Sequence, residues 1–400
     1  MTLIGHEETL VDFDEIIDRR NSDSAKWNRY DEDVIPAWTA DMDFLSPPPV
    51  TAALQRRVAH GIFGYSAAGR FGGVGGLQEA VSERYRQRHA LNCAPDDVLI
   101  VPGVVSGLYA MSQYIAADES ILIQTPNYWP FFSAAETNAR ATVSAPLVAC
   151  AEGPLDRYEI DFDALEATIQ PHTRMLMFCN PHNPVGRAYR RDELERLADI
   201  CLRHRLVICS DEIHAGLTFP DHEHLAIAGI DPEVAACTVT LNSSTKSYNL
   251  AGFKLGVAIA TSAEMRDWLG GYYQKVGVYS VSALGLVAAE AAFRQGQPWL
   301  DSLLAYLQDN RDYAIDFVLR EMPALRPTCP EATYLLLLDC AATPFAADPV
   351  QFFLDEARVA LSGNFGPQGY PNLARLNFGC PRATLTEMLE RMAAAYNRNS

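Results

Sequence analysis

The middle of this 400-residue chain alternates short apolar runs with amphipathic segments, and this alternation limits the folds that it can adopt. Between the apolar runs lie segments with the apolar spacing of helices, such as 107–117 and 191–204. Strands that are apolar throughout and separated by helices indicate a mostly parallel sheet covered on both faces, and so an α/β fold. The six predicted strands are VLIVPG (98–103), SILIQTP (120–126), MLMFCNP (175–181), LVICSDE (206–212), TVTLNSS (238–244) and GVAIAT (256–261).

Beyond about residue 285 the pattern changes. A long helical pattern (299–322) is followed by two strand candidates, 333–339 and 374–379, and by a terminal helix from about residue 384. We therefore expect two domains. They are a large α/β domain over 48–285 and a smaller, discontinuous α+β domain formed by 1–47 and 286–400.

Composition argues against several classes of function. The net charge of −18 disfavours nucleic acid or an anionic membrane as a partner, because both need basic surfaces. The first twenty residues lack the apolar core of a secretory signal, and the longest apolar runs are too short to span a membrane. Nine scattered cysteines without a C-x-x-C pair indicate reduced thiols rather than disulfides or a zinc site. We expect a cytoplasmic protein without a metal site.

Four predicted strands end in polar residues that could converge on one site. Ligands of open α/β sheets bind beyond the carboxyl ends of the strands. The polar ends are Pro102-Gly103, NPHNPVG (180–186), Asp211 to His214, and Ser243 to Lys246.

The residue types at these ends suit pyridoxal 5'-phosphate (PLP). A lysine desolvated at a strand end, such as Lys246, can act as a nucleophilic amine toward a carbonyl group. Asp211 follows an apolar run and needs a cationic partner, which a protonated pyridine nitrogen would supply. The hydroxyls of Ser243 and Thr245, with backbone N–H groups after Gly103, would suit a phosphate. Taken singly, Lys246 could instead be a solvated loop lysine, and Asp211 a helix cap.

Three motifs, NPHNPVG (180–186), SDEIH (210–214) and SSTKSYN (243–249), together resemble the fold-type I PLP enzymes of the class I/II aminotransferase superfamily. Finer features resemble its MalY/PatB branch of cystathionine β-lyase-like C–S lyases, and the resemblance covers essentially the whole chain in order. It implies a large PLP-binding domain, a small α+β domain, an amino-acid substrate and a homodimer. The finer features are WTADMDF (38–44), HGIFGYS (60–66), SDEIHAGL (210–217) and RLNFGCPR (375–382).

The resemblance also implies roles for individual residues around the cofactor. Lys246 matches the lysine that bonds to PLP, Asp211 the partner of its pyridine nitrogen, and Tyr128 the ring that stacks on it. These three are the predicted catalytic residues. Asn183 and His214 match residues that touch the phenolic oxygen. The predicted phosphate ligands are the backbone at Val104 and Val105, the side chains of Ser243 and Lys254, and Tyr65 of the neighbouring subunit.

Substrate binding follows from the same resemblance. Arg375 matches the arginine that holds the substrate carboxylate in a two-pronged contact. Asn183, Trp38 and Tyr65 complete the predicted substrate site. Lys254 departs from the pattern, because other aminotransferases place an arginine there, and lysine is only a point donor. The aromatic and thioether side chains predicted either to wall the site or to belong to the core are Trp38, Met42, Phe44, Tyr128 and Trp129.

The motifs do not choose between two reactions. The lysine amine can remove the Cα proton of an amino acid, after which either a Cβ thiolate leaves or transamination follows. From the resemblance we expect a C–S β-lyase that converts cystathionine or a cysteine S-conjugate to a thiol, ammonia and pyruvate. The alternatives are an aminotransferase of a neutral amino acid, a specialised-pathway enzyme acting on a larger S-conjugate, and a PLP-binding regulator without activity.

Overall fold

The computed structural model describes residues 11–66, 76–363 and 365–399. Within these ranges the strands are β1 (Ile35–Pro36), β2 (Val98–Val101), β3 (Ser120–Thr125), β4 (Ala141–Pro146), β5 (Val148–Glu152), β6 (Leu155–Glu159), β7 (Thr173–Cys179), β8 (Val207–Asp211), β9 (Thr238–Asn242), β10 (Gly256–Ile259), β11 (Arg326–Pro327), β12 (Leu335–Asp339), β13 (Val359–Ala360) and β14 (Leu373–Asn377).

The helices within the same ranges are α1 (Pro48–Ala59), α2 (Gly76–Arg88), α3 (Val104–Met111), α4 (Pro130–Thr137), α5 (Phe162–Thr168), α6 (Arg191–Arg203), α7 (Pro232–Ala236), α8 (Ser244–Ser247), α9 (Ala263–Lys275), α10 (Ala283–Gln295), α11 (Gln297–Glu321), α12 (Pro349–Ala357) and α13 (Arg382–Asn399). None of these helices combines the length and the apolar character needed to cross a bilayer.

A seven-stranded sheet in the order β2-β10-β9-β8-β7-β3-β4 forms the centre of the protein. Strand β10 is antiparallel to both of its neighbours, and the other pairings are parallel, which confirms the predicted α/β fold with a mostly parallel sheet. All six predicted strands belong to this sheet. The seventh strand, β4, was not predicted, because it lies at an edge, is largely exposed and has no continuous apolar run.

Alternate residues of the central strands point into two different cores. Met175 and Met177 of β7 pack in the core that includes residues of α3, α4 and α9, whereas Leu176 and Phe178 pack in the core that includes residues of α6. All four side chains are fully buried, and burial of such a side chain contributes about 1.5–3 kcal/mol. The continuous apolar runs of the sequence therefore correspond to a sheet that helices cover on both faces.

The remainder of the chain builds a second sheet beside the first. Strands β11, β12 and β14 form an antiparallel sheet, and β1 pairs in parallel with β13. Residues of α11, α12 and α13 share one hydrophobic core with Met42 and Phe44 of the N-terminal segment. The segment before α1 thus packs with the C-terminal part of the chain. The domain limits at 47/48 and 285/286 stay predictions.

Strand β10 passes the start of α3 at a distance that only glycine permits. Gly103, which precedes α3, has a φ of +123°, a conformation that L-residues rarely adopt. A Cβ atom at Gly256 would lie 2.9 Å from the carbonyl carbon of Gly103 and 3.0 Å from the nitrogen of Val104. Helix α3 consequently begins at Val104, three residues before the predicted start, and directly against β10.

We expect Gly256→Ala to lower the free energy of unfolding by about 1–3 kcal/mol, because backbone atoms must move to admit the methyl group. Urea denaturation followed by circular dichroism measures this change. Gly252→Ala is the matched control, since no atom lies within 4 Å of its added Cβ. A control that is destabilised as much as Gly256→Ala would contradict the packing argument.

Candidate active site

A cavity of about 500 Å³ lies at the carboxyl ends of the central strands. Its wall combines the loops after β2, β7, β8 and β9 with the N-terminal segment 38–40 and with Arg375 of β14. The strand ends that the sequence singled out therefore meet at one place. The predicted site residues on this wall are Trp38, Val104, Val105, Tyr128, Asn183, Asp211, His214, Lys246, Lys254 and Arg375.

Lys246 projects from α8, the short helix that follows β9. The Ser243 side chain accepts a hydrogen bond from the Thr245 N–H and so begins the helix one residue after the strand. The Lys246 Nζ donates to the carbonyl oxygen of Ala40 at 2.5 Å. Burial lowers the pKa of Lys246 to about 8, although Asp41 and Asp211 oppose this shift. An amine with such a pKa is partly uncharged near neutral pH and can act as a nucleophile or a base.

Asp211 is a buried carboxylate at the end of β8, with 4% of its surface exposed. Within the described part of the chain its one hydrogen bond comes from the Ile213 N–H, at 3.0 Å. Burial raises its pKa to about 7. Because a buried carboxylate is costly without a cationic partner, Asp211 fits a ligand that brings a positive charge into the cavity.

Arg375 presents the opposite case, a buried guanidinium without a carboxylate partner among the described residues. Its Nη1 donates to Asn183 Oδ1 at 2.7 Å, and its Nη2 donates to the Trp38 carbonyl oxygen at 3.1 Å. The Nε atom is buried and has no hydrogen-bond partner among the residues that the structure describes. Burial lowers the pKa of Arg375 to about 10. Both contacts orient the guanidinium for an anion in the cavity.

The first turn of α3 forms a second place for an anion. The backbone N–H groups of Val104, Val105 and Ser106 have no acceptor within the helix, and they lie at its positive end. Val104, Val105 and Ser106 line the cavity together with Thr245 and Lys254. A lysine, a hydroxyl and free N–H groups at a helix start together suit a phosphate group.

Two predicted residues, Ser243 and Tyr65, do not line the cavity. The Ser243 hydroxyl donates to the Leu255 carbonyl oxygen at 2.5 Å and lies behind Thr245, which takes its place on the wall. Tyr65 is fully exposed. Phosphate binding by Ser243 and a contact of Tyr65 with a neighbouring subunit therefore stay predictions.

The remaining predicted side chains divide between the wall and the core. His214 is buried, its Nδ1 has no partner, and burial helped by Lys246 and Arg375 lowers its pKa to about 3, so that the ring is neutral. Tyr128 is partly exposed on the wall, whereas Met42 and Phe44 are core residues. Trp129 is partly exposed away from the wall.

Ala40 and Ser362 are among the wall positions that sequence reasoning missed. Ala40 acts through its carbonyl oxygen, which any residue type could supply. Ser362 lies beside Arg375 because their backbone N–H and C=O groups bond reciprocally, at 3.0 and 2.8 Å. The sequence gives no signal for either contact, since each depends on segments that are distant along the chain.

Comparison with known proteins places the whole chain among relatives of one kind. The family described as Aminotransferase class I and II matches residues 39–392. Cystathionine beta-lyase PatB from Bacillus subtilis (strain 168) is 34% identical over 395 residues, which cover 96% of this chain and 100% of PatB. The crystal structure of OvoB is 38% identical with a TM-score of 0.90, and covers 97% of this chain and 100% of OvoB. Cystalysin from Treponema denticola, whose structure contains PLP, is 27% identical with a TM-score of 0.91, over 98% and 100% of the two chains.

We expect Lys246→Met to stabilise the ligand-free protein at pH 7, because it removes a desolvated amine. The Lys246 pKa falls from an ordinary 10.5 to about 8, so that the unfolded state binds more protons between these values. The wild type therefore gains stability as the pH rises from 8 toward 10.5, and the advantage of the variant shrinks over that range.

Thermal melts between pH 7 and about pH 10 measure this difference across the expected titration. Lys275→Met, at an exposed position, is the control and should show no such pH dependence. An advantage of Lys246→Met that stays constant with pH would contradict the shift.

Proposed function

This chain belongs to the family of class I and II aminotransferases, on the branch that includes PatB, and on that basis we propose that it is a PLP-dependent C–S β-lyase. The reaction is β-elimination of cystathionine or of another cysteine S-conjugate, and it yields a thiol, ammonia and pyruvate. One observation carries the proposal. A single cavity brings together an amine of lowered pKa, a buried carboxylate without a cation and a buried guanidinium without an anion.

The unpaired groups of the cavity correspond to the groups of PLP. Lys246 would bond to the aldehyde carbon, and Asp211 would pair with the pyridine nitrogen, which would return its pKa toward the ordinary range. Asn183 and His214 would face the phenolic oxygen, with Tyr128 against the ring. The first turn of α3, with Thr245 and Lys254, would bind the phosphate. When bound, PLP withdraws electrons from the Cα atom of an attached amino acid.

Arg375 would hold the substrate carboxylate. A guanidinium carries five N–H donors, and the contacts with Asn183 and Trp38 use two of them. The remaining donors include Nε, which is buried without a partner, and they can bind both oxygens of a carboxylate. This contact would orient the amino acid so that its Cα proton faces Lys246.

Lys246 would act as the base at Cα once the amino group of the substrate has replaced it on the aldehyde carbon and left its amine free. Its pKa of about 8 suits a group that must accept a proton near neutral pH. The Ala40 carbonyl oxygen accepts one N–H of the amine and so holds the amine at the cavity wall. As Lys246 takes the proton, the electrons of the C–H bond would end in a Cα–Cβ double bond while the Cβ–S bond breaks and its electrons leave with the thiolate. The Lys246 amine would then bond to the aldehyde carbon again and so free the eliminated product. Water then converts the released product to pyruvate and ammonia.

We further infer a cytoplasmic homodimer in which Tyr65 completes the site of the neighbouring subunit. Ile62, Phe63 and Tyr65 expose large apolar side chains within four residues, which supports contact with another chain. All nine cysteines are unpaired, which fits a reducing compartment.

We expect the PLP-loaded protein to release many equivalents of pyruvate and ammonia from L-cystathionine when no amino acceptor is present. Transamination would stop after one equivalent, because the cofactor would remain in its amine form. The measurement is an assay of total 2-oxo acid, with pyruvate identified separately, together with an assay of ammonia. Lys246→Ala, the control, should show neither the visible cofactor absorbance nor release. A single equivalent of 2-oxo acid without ammonia, with the cofactor left in its amine form, would instead establish an aminotransferase, and silence with intact absorbance would point to a larger S-conjugate.

A test of the shared site uses two variants, Lys246→Ala and Tyr65→Ala, which each impair every site of a homodimer. A mixed dimer would hold one intact site, formed by Lys246 of one chain and Tyr65 of the other. Random pairing of equal amounts should restore about one quarter of the wild-type activity. Activity that stays at the mean of the two separate variants would contradict the contribution of Tyr65 across the interface.

A further inference from the structure

Behind the cavity wall, Glu212 lies at the centre of a buried polar cluster that the proposed mechanism does not use. Its side chain is fully buried next to Asp211. Its Oε1 accepts a hydrogen bond from Ser210 at 2.9 Å, and its Oε2 lies 3.0 Å from His224 Nε2 and accepts from the Tyr85 hydroxyl at 3.3 Å. Two neighbouring carboxylates are thus buried, but only Asp211 faces the cavity, where a ligand can bring a cation.

Glu212 and His224 close the base of a loop. The segment 212–224 leaves β8, places Ile213 and His214 on the cavity wall, and returns to bring His224 against Glu212. The same carboxylate reaches a second strand end, because the Tyr85 hydroxyl also accepts from the Asn242 side chain at the end of β9. The contacts of Glu212 therefore join the segment that carries Asp211 and His214 to the strand that precedes Lys246.

The surroundings of Glu212 favour its uncharged form. The titratable groups that face it are Tyr85 from α2 and His224 from the returning segment, and Asp211 precedes it at the end of β8. Behind His224 lies His89, with the two ring centres 5.0 Å apart. No lysine or arginine within the described ranges forms an ion pair with Glu212, and the nearby charge of Arg84 acts on Tyr85 and His89 instead. A second negative charge beside Asp211 would thus be buried without a counter-ion.

We propose that Glu212 is held as a neutral carboxylic acid that donates a hydrogen bond to His224 Nε2, and that this pair positions Asp211 and His214. The protonation of Glu212 and of His224 is argued from their buried contacts and does not depend on the proposed function. The positioning role rests on the proposed function, since Asp211 and His214 act only where the cofactor binds.

The directions of the pKa shifts agree with this arrangement. Burial raises the pKa of Glu212 to about 8, and burial lowers the pKa of His224 to about 3. At neutral pH the proton therefore belongs to Glu212 and the imidazole is neutral. An acceptor at Nε2 requires that the ring proton of His224 is on Nδ1.

The first experiment compares thermal melts of Glu212→Gln and the wild-type full chain between about pH 5 and pH 8. The unfolded Glu212 titrates near about pH 4.3 and the native one near about pH 8, so the wild type loses stability as the pH rises between these values. Glutamine keeps a donor for His224 and does not titrate. We expect the melting temperature of the variant to rise steadily relative to the wild type over this range.

Glu193→Gln is the matched control. Glu193 is also buried, but it forms an ion pair with Arg187, whose Nη2 donates to its two carboxylate oxygens at 2.9 and 2.8 Å. Its replacement should lower the melting temperature at every pH, without a relative gain as the pH rises. A Glu212→Gln variant that behaves like this control would show that Glu212 carries a charge, and would overturn the proposal.

The tautomer of His224 gives a second readout that does not depend on stability. Long-range ¹H–¹⁵N spectra of the imidazole at pH 7, assigned with His224→Gln, distinguish the three forms of the ring. The proposal requires a neutral ring with the proton on Nδ1. A neutral ring with the proton on Nε2, or an imidazolium, would overturn it.

Positioning is tested in the PLP-loaded protein with His224→Gln, which keeps an acceptor for Glu212, and His224→Leu, which does not. We expect the leucine variant to lose about 10-fold to 100-fold in kcat with little change in KM, and to shift the pH midpoint of the visible cofactor absorbance. The glutamine variant should stay close to the wild type in both. Wild-type kcat and midpoint in the leucine variant would overturn the positioning role.

The outcomes separate the two proposals. If the wild type neither binds PLP nor releases pyruvate, the proposed function and the positioning role both fail. The melts and the His224 tautomer would still decide the protonation state of Glu212.

Discussion

The burial of Asp211 is the constraint around which the site is organised. A carboxylate at the end of a central strand has lost most of its water, and one backbone N–H is its single hydrogen-bond donor within the described chain. The raised pKa records the free energy that this burial costs. A cationic ligand in the cavity would recover it. This unfavourable burial supports the proposed pairing of Asp211 with a protonated ring nitrogen.

The neighbouring carboxylate, that of Glu212, is also buried, but its surroundings differ from those of Asp211. Glu212 points away from the cavity, toward Tyr85, Ser210 and His224, where no ligand can reach it. Asp211 and Glu212 are adjacent but have different surroundings, because successive residues at a strand end face opposite sides of the sheet. One stays available to pair with a cation, and the other is satisfied by hydrogen bonds. Proteins separate the roles of paired carboxylates by environment in the same way.

Much of the fold and of the candidate site could be predicted from the sequence. The features that could not be predicted have physical causes. The central strands are continuous apolar runs, so their positions and the convergence of Asp211 and Lys246 were evident from local pattern. Strands β4 and β5 were not predicted because exposed strands carry little apolar signal. Thr245 lines the cavity, whereas the Ser243 hydroxyl donates to the Leu255 carbonyl oxygen. This difference depends on the orientation of the short helix α8, which residue type does not specify. The partners of Glu212 lie on α2 and on a distant loop, so only the fold brings them together.

The N-terminal segment touches Lys246 and Arg375 through main-chain oxygens, those of Ala40 and Trp38. The side chains of Ala40 and Trp38 therefore take no part in these two hydrogen bonds. An alanine scan would register nothing at position 40, which is already alanine, even though its carbonyl oxygen accepts a hydrogen bond from the Lys246 amine. Homologous enzymes could likewise vary the residue at this position without losing the contact. The conserved property there would be the path of the chain, which a backbone ester substitution could probe and a side-chain replacement could not.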